Sequence, residues 1–340
     1  MVANESIENQ KKAPRVSVLV PVYNAEKYLL ECLKSLSNQI LDDMEIICLN
    51  DGSTDSSLEM LKDFAKKEPR LKIVDKPNTG YGDTLNKGIK LASGEYIGIV
   101  EPDDFIDPEM YIELFALAKK YDADVAKSNY YEFKDGKNII HESFFPDETG
   151  FLVDAVEDTK IFYQNPAIWS AIYRHEYLID QKLNFLKTPG AAYQDASFNF
   201  KVLASGAKII LTDKPYYHYR KDNANSSVKS SDKIFAVNTE YEEIERYLKE
   251  KGKWETFGYV FEAVKFAAYH WNMLRLNDKD LEKFLLRMRA EFHDADNKDM
   301  LRKQYFPKNH WRALRTILDL PPKAFITVFK TYRRKKKQNL

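Results

Sequence analysis

The sequence predicts an α/β fold, a mostly parallel sheet flanked by helices and followed by a helical C-terminal region. Three observations carry this. Between residues 16 and 100, four short apolar runs alternate with three segments of helical periodicity, and parallel strands need crossovers of that kind. Each apolar run stops in a polar cluster, where sheets of this type bind ligands. After residue 231 the strand signals cease, and apolar residues recur at helical spacing.

Taken in order, residues 1–14 are polar and read as a flexible leader. Residues 16–22 form an apolar strand that runs into Tyr23-Asn24, and Tyr28, Leu29, Cys32, Leu33 and Leu36 share one face of the helix that follows. The second strand, 45–50, ends at Asp51-Gly52-Ser53-Thr54-Asp55, where Thr54 or Asp55 can cap the next helix. A third strand, 71–74, leads to Asn78-Thr79-Gly80. A helix over 83–92 stops at Ser93-Gly94. The fourth strand, Ile97-Gly98-Ile99-Val100, ends in Glu101, Asp103 and Asp104. Beyond it the spacing predicts a helix at 109–121, a hairpin of 124–133 with 138–145, and a short strand at 168–173 carrying Trp169. A helix opened by Gln194-Asp195 and a strand at 208–211 follow. Four helices are expected at 231–251, 255–276, 278–293 and 309–319.

Composition narrows the class. The 340 residues are 44% apolar and 31% charged, which indicates a globular chain. Lys plus Arg and Asp plus Glu are both 52, so overall charge gives no argument for nucleic acid. Cys32 and Cys48 offer neither a disulfide framework nor zinc spacing and read as buried thiols. With no signal-type segment and no long apolar run, the expectation is a cytoplasmic protein. The balance of charge conceals a basic end, with Lys330, Arg333, Arg334, Lys335, Lys336 and Lys337 and no acid after residue 329. Behind the apolar residues Phe325, Ile326, Val328 and Phe329, that run suits peripheral contact with an anionic bilayer on the inner face of the membrane; a solvated charge run is the plainer reading.

The strand-end residues sort the chemistry. A dinucleotide dehydrogenase is excluded because the first strand runs into Pro-Val-Tyr-Asn rather than a Gly-x-Gly-x-x-Gly turn, and no P-loop occurs. A sugar nucleotidylyltransferase would need a Gly-rich basic loop after that strand. What remains is an early acid, Asp51, with a later carboxylate cluster, Glu101, Asp103 and Asp104. Oxygen-only ligands suit a hard divalent cation that accompanies a phosphate-bearing substrate.

Val16 to Asn24, Asp51-Gly52-Ser53-Thr54-Asp55, Asn78-Thr79-Gly80, Asn86-Lys87-Gly88 and Glu101-Pro102-Asp103-Asp104, in that order, resemble the family 2 glycosyltransferases of the GT-A fold, of the bacterial surface-polysaccharide type. The resemblance spans about 15–230. It divides the chain into a leader (1–14), a GT-A catalytic domain (15–230), a helical region (231–320) and a basic amphipathic tail (321–340). It implies inverting transfer of a sugar from a nucleotide sugar, most often a UDP-sugar, with Mn²⁺ or Mg²⁺, to a glycan or lipid-linked glycan acceptor.

Carried over by position, Pro21, Tyr23 and Asn24 line the base and ribose pocket, Asp51 bonds the base, and Asn78 and Gly80 shape its rim. Asp103 matches the metal-binding aspartate. Glu101 stands where an aspartate is usual, with the ribose and the metal both open to it. Asp195 matches the general base, while Gln194 replaces the usual glutamate, and its contacts, to the acceptor or to neighbouring backbone, are expected to be neutral. Arg220 and Ser226 match contacts to the diphosphate. Trp169 reads equally as a residue stacking on a sugar and as a buried aromatic, and His218 is more readily a structural residue than a further metal ligand. The alternative is a non-catalytic nucleotide-sugar-binding or scaffold subunit, suggested by Glu101, Gln194 and Leu85, where many relatives carry arginine. The C-terminal helices are expected to serve as an acceptor platform or a homo-oligomer interface.

Overall fold

The computed structural model describes residues 13–223 and 234–338, with side chains described as far as residue 331. The first half alternates strand and helix as its periodicity requires: β1 (Val16–Val22), α1 (Leu29–Ser37), β2 (Met44–Asp51), α2 (Ser57–Ala65), β3 (Leu71–Lys76), α3 (Tyr81–Leu91) and β4 (Tyr96–Ile99). Next come β5 (Phe105–Ile106), α4 (Met110–Lys120), β6 (Val125–Lys134), β7 (Lys137–His141), β8 (Leu152–Val153), β9 (Ala171–Arg174) and α5 (His175–Asp180). Then follow α6 (Gln194–Ser205), β10 (Ile209–Arg220), α7 (Ala236–Glu250), α8 (Trp254–Arg275), α9 (Asp278–Asn297), α10 (Lys308–Asp319) and α11 (Pro322–Gln338).

One sheet runs through the molecule in the order β3-β2-β1-β4-β9-β6-β10-β5, with β7 on β6 and β8 on β10. The first four strands are parallel, and every residue of β1 and β2 is buried, as expected where both faces of a sheet are covered. The second half is mixed. β9 lies antiparallel between β4 and β6, while β10 runs parallel to β6. The parallel half brings the polar ends of β1, β2, β3 and β4 to one edge, and β10 delivers Tyr217 to Arg220 beside Glu101 and Asp104.

Close approaches shape the region in front of that edge. A Cβ on Gly82 of α3 would stand 2.1 Å from the main-chain oxygen of Leu186, so only glycine lets the 185–190 segment lie against α3. Alanine for glycine inside a helix ordinarily gains about 0.5–1 kcal/mol. Here the collision reverses the sign, and Gly82→Ala is expected to lose about 1–3 kcal/mol. Urea unfolding would measure it, and a variant as stable as the parent would refute the assigned collision.

The C-terminal helices pack in succession, α7 against α6 and α8, then α9 with α10 and α11. Phe257, Val260, Phe261, Phe266 and Tyr269 of α8 are buried among them. The apolar part of the tail differs from expectation. Phe325, Ile326 and Phe329 are buried where α11 meets α9 and α10, leaving Val328 exposed. An apolar stripe shows that a face needs cover, and here the protein's own helices provide most of it. Among the described residues no helix is long and apolar enough to cross a membrane.

Candidate active site

The rim begins where β1 ends. Pro21 is buried two residues after the last β1–β4 pair, Leu19 with Ile99, so its missing N–H costs no ladder bond on that side. Tyr23 is half exposed. Asn24, at φ 49°, accepts from the Thr54 N–H at 2.8 Å and donates its own N–H to Ser53 Oγ at 3.1 Å, which ties the two turns together. Asp55 accepts from the Ser57 N–H at 3.0 Å and the Glu26 N–H at 3.1 Å, and so ties the turn before α2 to the turn after β1, while Ser56 holds the N-cap position.

Asp51 differs from the expectation of a base contact. Its buried carboxylate takes the N–H groups of Thr79 (2.8 Å) and Gly80 (3.0 Å) and pairs with the Lys76 ammonium. A buried carboxylate needs such partners, and Asp51 uses them to build the rim. Asn78 is exposed above it. Gly80, at φ 92°, has the Thr188 oxygen 2.7 Å from where a Cβ would stand, and the Tyr81 N–H donates to the Gly190 oxygen at 3.2 Å. The small-residue loop 188–192 therefore abuts the 78–80 rim.

The carboxylates after β4 have separate roles. Asp104 is 1% exposed and braces the loop, accepting from the Arg220 N–H and the Tyr217 hydroxyl, both at 2.7 Å. Burial, with the Asp103 charge adding, holds its carboxyl well above the usual range. Asp103 Oδ2 accepts from Asn223 at 2.8 Å, and among the described residues no hydrogen bond reaches Oδ1. Glu101 Oε1 accepts from the Tyr81 hydroxyl at 2.5 Å. Burial pushes Glu101 up to about 8, opposed by the Tyr81 bond and reinforced by the charges of Asp103 and Asp195. Two carboxylates from opposite halves of the chain thus act on the same group.

Asp195 is the second residue of α6, and its Oδ1 accepts from the Ala196 N–H at 2.9 Å. Burial raises its carboxyl above the ordinary value, with the Lys127 ammonium opposing. Lys127 is buried on β6, donates to the oxygens of Pro166 (2.8 Å) and Ala167 (2.7 Å), and is held down to about 7 by burial. Tyr81 and Tyr219 also lie within electrostatic reach of both Glu101 and Asp195.

Three further candidates are held by partners within the protein. Gln194 is 2% exposed, accepts from the Ala192 N–H and donates to Thr188 Oγ1 and the Gly190 oxygen, so it shapes the 188–192 loop instead of facing an acceptor. Trp169 is 8% exposed and packs on Tyr217 at 4.2 Å and Tyr219 at 5.3 Å, in an aromatic cluster that leaves little ring for a sugar. Arg220 is 7% exposed; its guanidinium bonds the Asp103 oxygen at 2.7 Å and Glu31 at 2.5 Å and packs on Tyr28 and Phe133. It braces the carboxylate loop from behind. Ser226 lies outside the described residues. His218 is structural, held by Asp107 and Asn138 at 2.9 Å and stacked on Phe105. Cys32 and Cys48 are buried free thiols.

Sequence reasoning missed Tyr81, Lys127, Tyr217 and Glu240. Lys127 carried a signal, a cation in the first, buried half of β6 directly after Val125-Ala126. Glu240 carried none, since it sits among the charges of α7. Yet it is fully buried, accepting from the Ser197 hydroxyl and, at 3.4 Å, from Thr188, and so joins α7 to both sides of Asp195. Burial pushes Glu240 up to about 7, with Asp195 adding and Ser197 and Lys201 opposing. Between the ordinary 4.5 and about 7, the folded protein therefore binds more protons than the unfolded one. This group's contribution to stability falls as pH rises through that window. Glu240→Gln is expected to flatten that fall in unfolding midpoints measured against pH; a slope equal to the parent's would count against it.

Residues 17–202 match the description "Glycosyl transferase family 2". The chain belongs to that family and is a glycosyltransferase. It is 31% identical over 274 residues to a putative glycosyltransferase EpsH of Bacillus subtilis, covering 78% of each chain. With an uncharacterized glycosyltransferase EpsJ of the same organism it shares 32% over 227 residues, 63% of this chain and 62% of that one. In fold it is similar to S. aureus TarS 1-349 in complex with UDP-GlcNAc, at a TM-score of 0.67 and 21% identity over 94% of this chain and 92% of that one.

Proposed function

We propose that this glycosyltransferase moves a sugar, with inversion, from a UDP-sugar to a hydroxyl of a glycan or lipid-linked glycan acceptor. The observation that carries the reading is the link through Tyr81, whose hydroxyl bonds Glu101 at 2.5 Å and whose N–H bonds the Gly190 oxygen at 3.2 Å, the oxygen that Gln194, beside Asp195 at the head of α6, also holds at 3.1 Å. Asp195 takes the proton of the acceptor hydroxyl as its oxygen attacks the anomeric carbon. The bond from that carbon to the diphosphate breaks, and the nucleoside diphosphate leaves. Pro21, Tyr23, Asn24, Asn78 and Gly80 line the side where base and ribose would lie. The likeness in fold to TarS, crystallised with UDP-GlcNAc, is the support for a UDP-sugar donor.

Among the described residues no group of three or more His, Cys, Asp or Glu is placed to hold a metal. Mg²⁺ and Mn²⁺ accompanying a nucleotide are held by one or two carboxylates, with substrate phosphates completing the shell. Asp103 Oδ1 and Glu101 Oε2, neither hydrogen-bonded among the described residues, suit that pattern. When bound, the cation would offset the charge growing on the departing diphosphate.

The test is nucleoside diphosphate release from a panel of UDP-sugars, with Mn²⁺, with Mg²⁺ and with neither, each with and without a glycan acceptor. Metal-stimulated release from one donor is expected; silence across the panel would favour the scaffold reading. The basic end of α11 keeps peripheral attachment to an anionic bilayer within the proposal, on the cytoplasmic side.

A further inference from the structure

The residue before Gln194-Asp195 is an aromatic in a left-handed conformation. Tyr193 sits at φ 64°, where a bulky side chain is an outlier that the surroundings must hold in place. What holds it comes from α8. The Tyr193 hydroxyl donates to Asn272 Oδ1 at 2.8 Å and accepts from Arg275 Nη1 at 3.1 Å, and its ring meets Trp271 edge-on at 5.9 Å. Trp271 falls on the apolar spacing of α8, yet it is 43% exposed, whereas Phe266 and Tyr269 are fully buried. Arg275 lies 4.4 Å over the Trp271 ring. Arg174, Arg220, Arg287 and Arg315 each pair with carboxylates; among the described residues Arg275 has no such partner.

These facts share one physical sense. An exposed indole offers a flat apolar face of the kind that stacks on a sugar ring. A guanidinium fixed on one side by the indole and at one N–H by a tyrosine is a pre-organised fork for anionic oxygens. Both are tied to the residue that leads into the base, on the edge of the helical region. We propose that Trp271 and Arg275, anchored through Tyr193, form an acceptor subsite for a sugar or alditol bearing an anionic group, a phosphate or a carboxylate. The subsite rests on the transfer reaction proposed above. It gives the helical region a task, to hold the growing chain so that its hydroxyl is presented to Asp195.

Intrinsic tryptophan fluorescence tests it without turnover. Three probes of equal length are titrated: a phosphodiester-linked alditol oligomer, a uronate-containing oligosaccharide and a neutral oligosaccharide. One charged probe is expected to change the emission of the parent protein and not that of Trp271→Phe, and the arm that responds identifies the anion. Arg275→Gln is expected to weaken that probe about tenfold while leaving the neutral probe and donor Kd unchanged. Arg275→Lys, which keeps charge but not the fork, should fall between. Equal binding of charged and neutral probes, no response to either charged probe, or an effect of Arg275→Gln on donor Kd alone would overturn the subsite. Because the readout is binding, an inactive donor panel would count against the proposed reaction and not against this surface.

Discussion

Asp195→Asn is expected to lower kcat for sugar transfer about 10²- to 10⁴-fold, the usual worth of a positioned general base. The amide preserves the shape of the side chain and can still accept from the Ala196 N–H, so α6 and the nucleotide pocket should persist. Donor affinity, measured by calorimetry on the same preparation, should therefore match the parent. The parent's pH profile adds a second reading. The base works only when ionised, and burial raises its carboxyl above the ordinary aspartate value. kcat/KM should accordingly fall with decreasing pH at a higher pH than a solvated aspartate would give. Lys127→Met, which removes the opposing cation, should move that limb higher still. A variant with near-normal turnover would exclude Asp195 as the base.

The second large effect is at Asp103. Even the outer partners of a metal site typically contribute about 10- to 100-fold to affinity. Loss of a direct oxygen ligand should cost no less, so Asp103→Asn is expected to weaken metal-dependent donor binding at least about tenfold. Removing the metal by chelation should weaken the parent's binding to a similar degree and change the variant little, since both act on one interaction. Asp104→Asn should behave differently. Asp104 accepts from Tyr217 and Arg220, so its loss disturbs the loop and lowers the unfolding midpoint as well. Full metal dependence retained by Asp103→Asn would place the cation elsewhere.

The parallel half of the fold was legible because its signals are local. Four apolar runs separated by helical spacing have few other solutions, and their polar ends fall at the sheet edge because the strands are parallel. Asp103 and Asp195 stand out through their match to the family's motifs, and the two experiments above test their roles. The braces do not stand out. Gln194, Trp169 and Arg220 are candidates for a ligand contact by sequence, and each is consumed by neighbours from another segment: the 188–192 loop, the Tyr217–Tyr219 cluster, and the loop carrying Asp103.

Glu240 reverses the case. It reads as a solvated charge in a polar helix, but α7 packs on α6 and seals it against Ser197. A side chain's type and spacing state what it can do, and they follow from residues a few places away. Whether it faces ligand or protein depends on contacts between segments tens of residues apart, which alone set burial and partner. The sequence by itself determined the parallel half of the sheet, its polar edge and the carboxylates on it. Tertiary packing decided which of the surrounding groups are left open to a substrate.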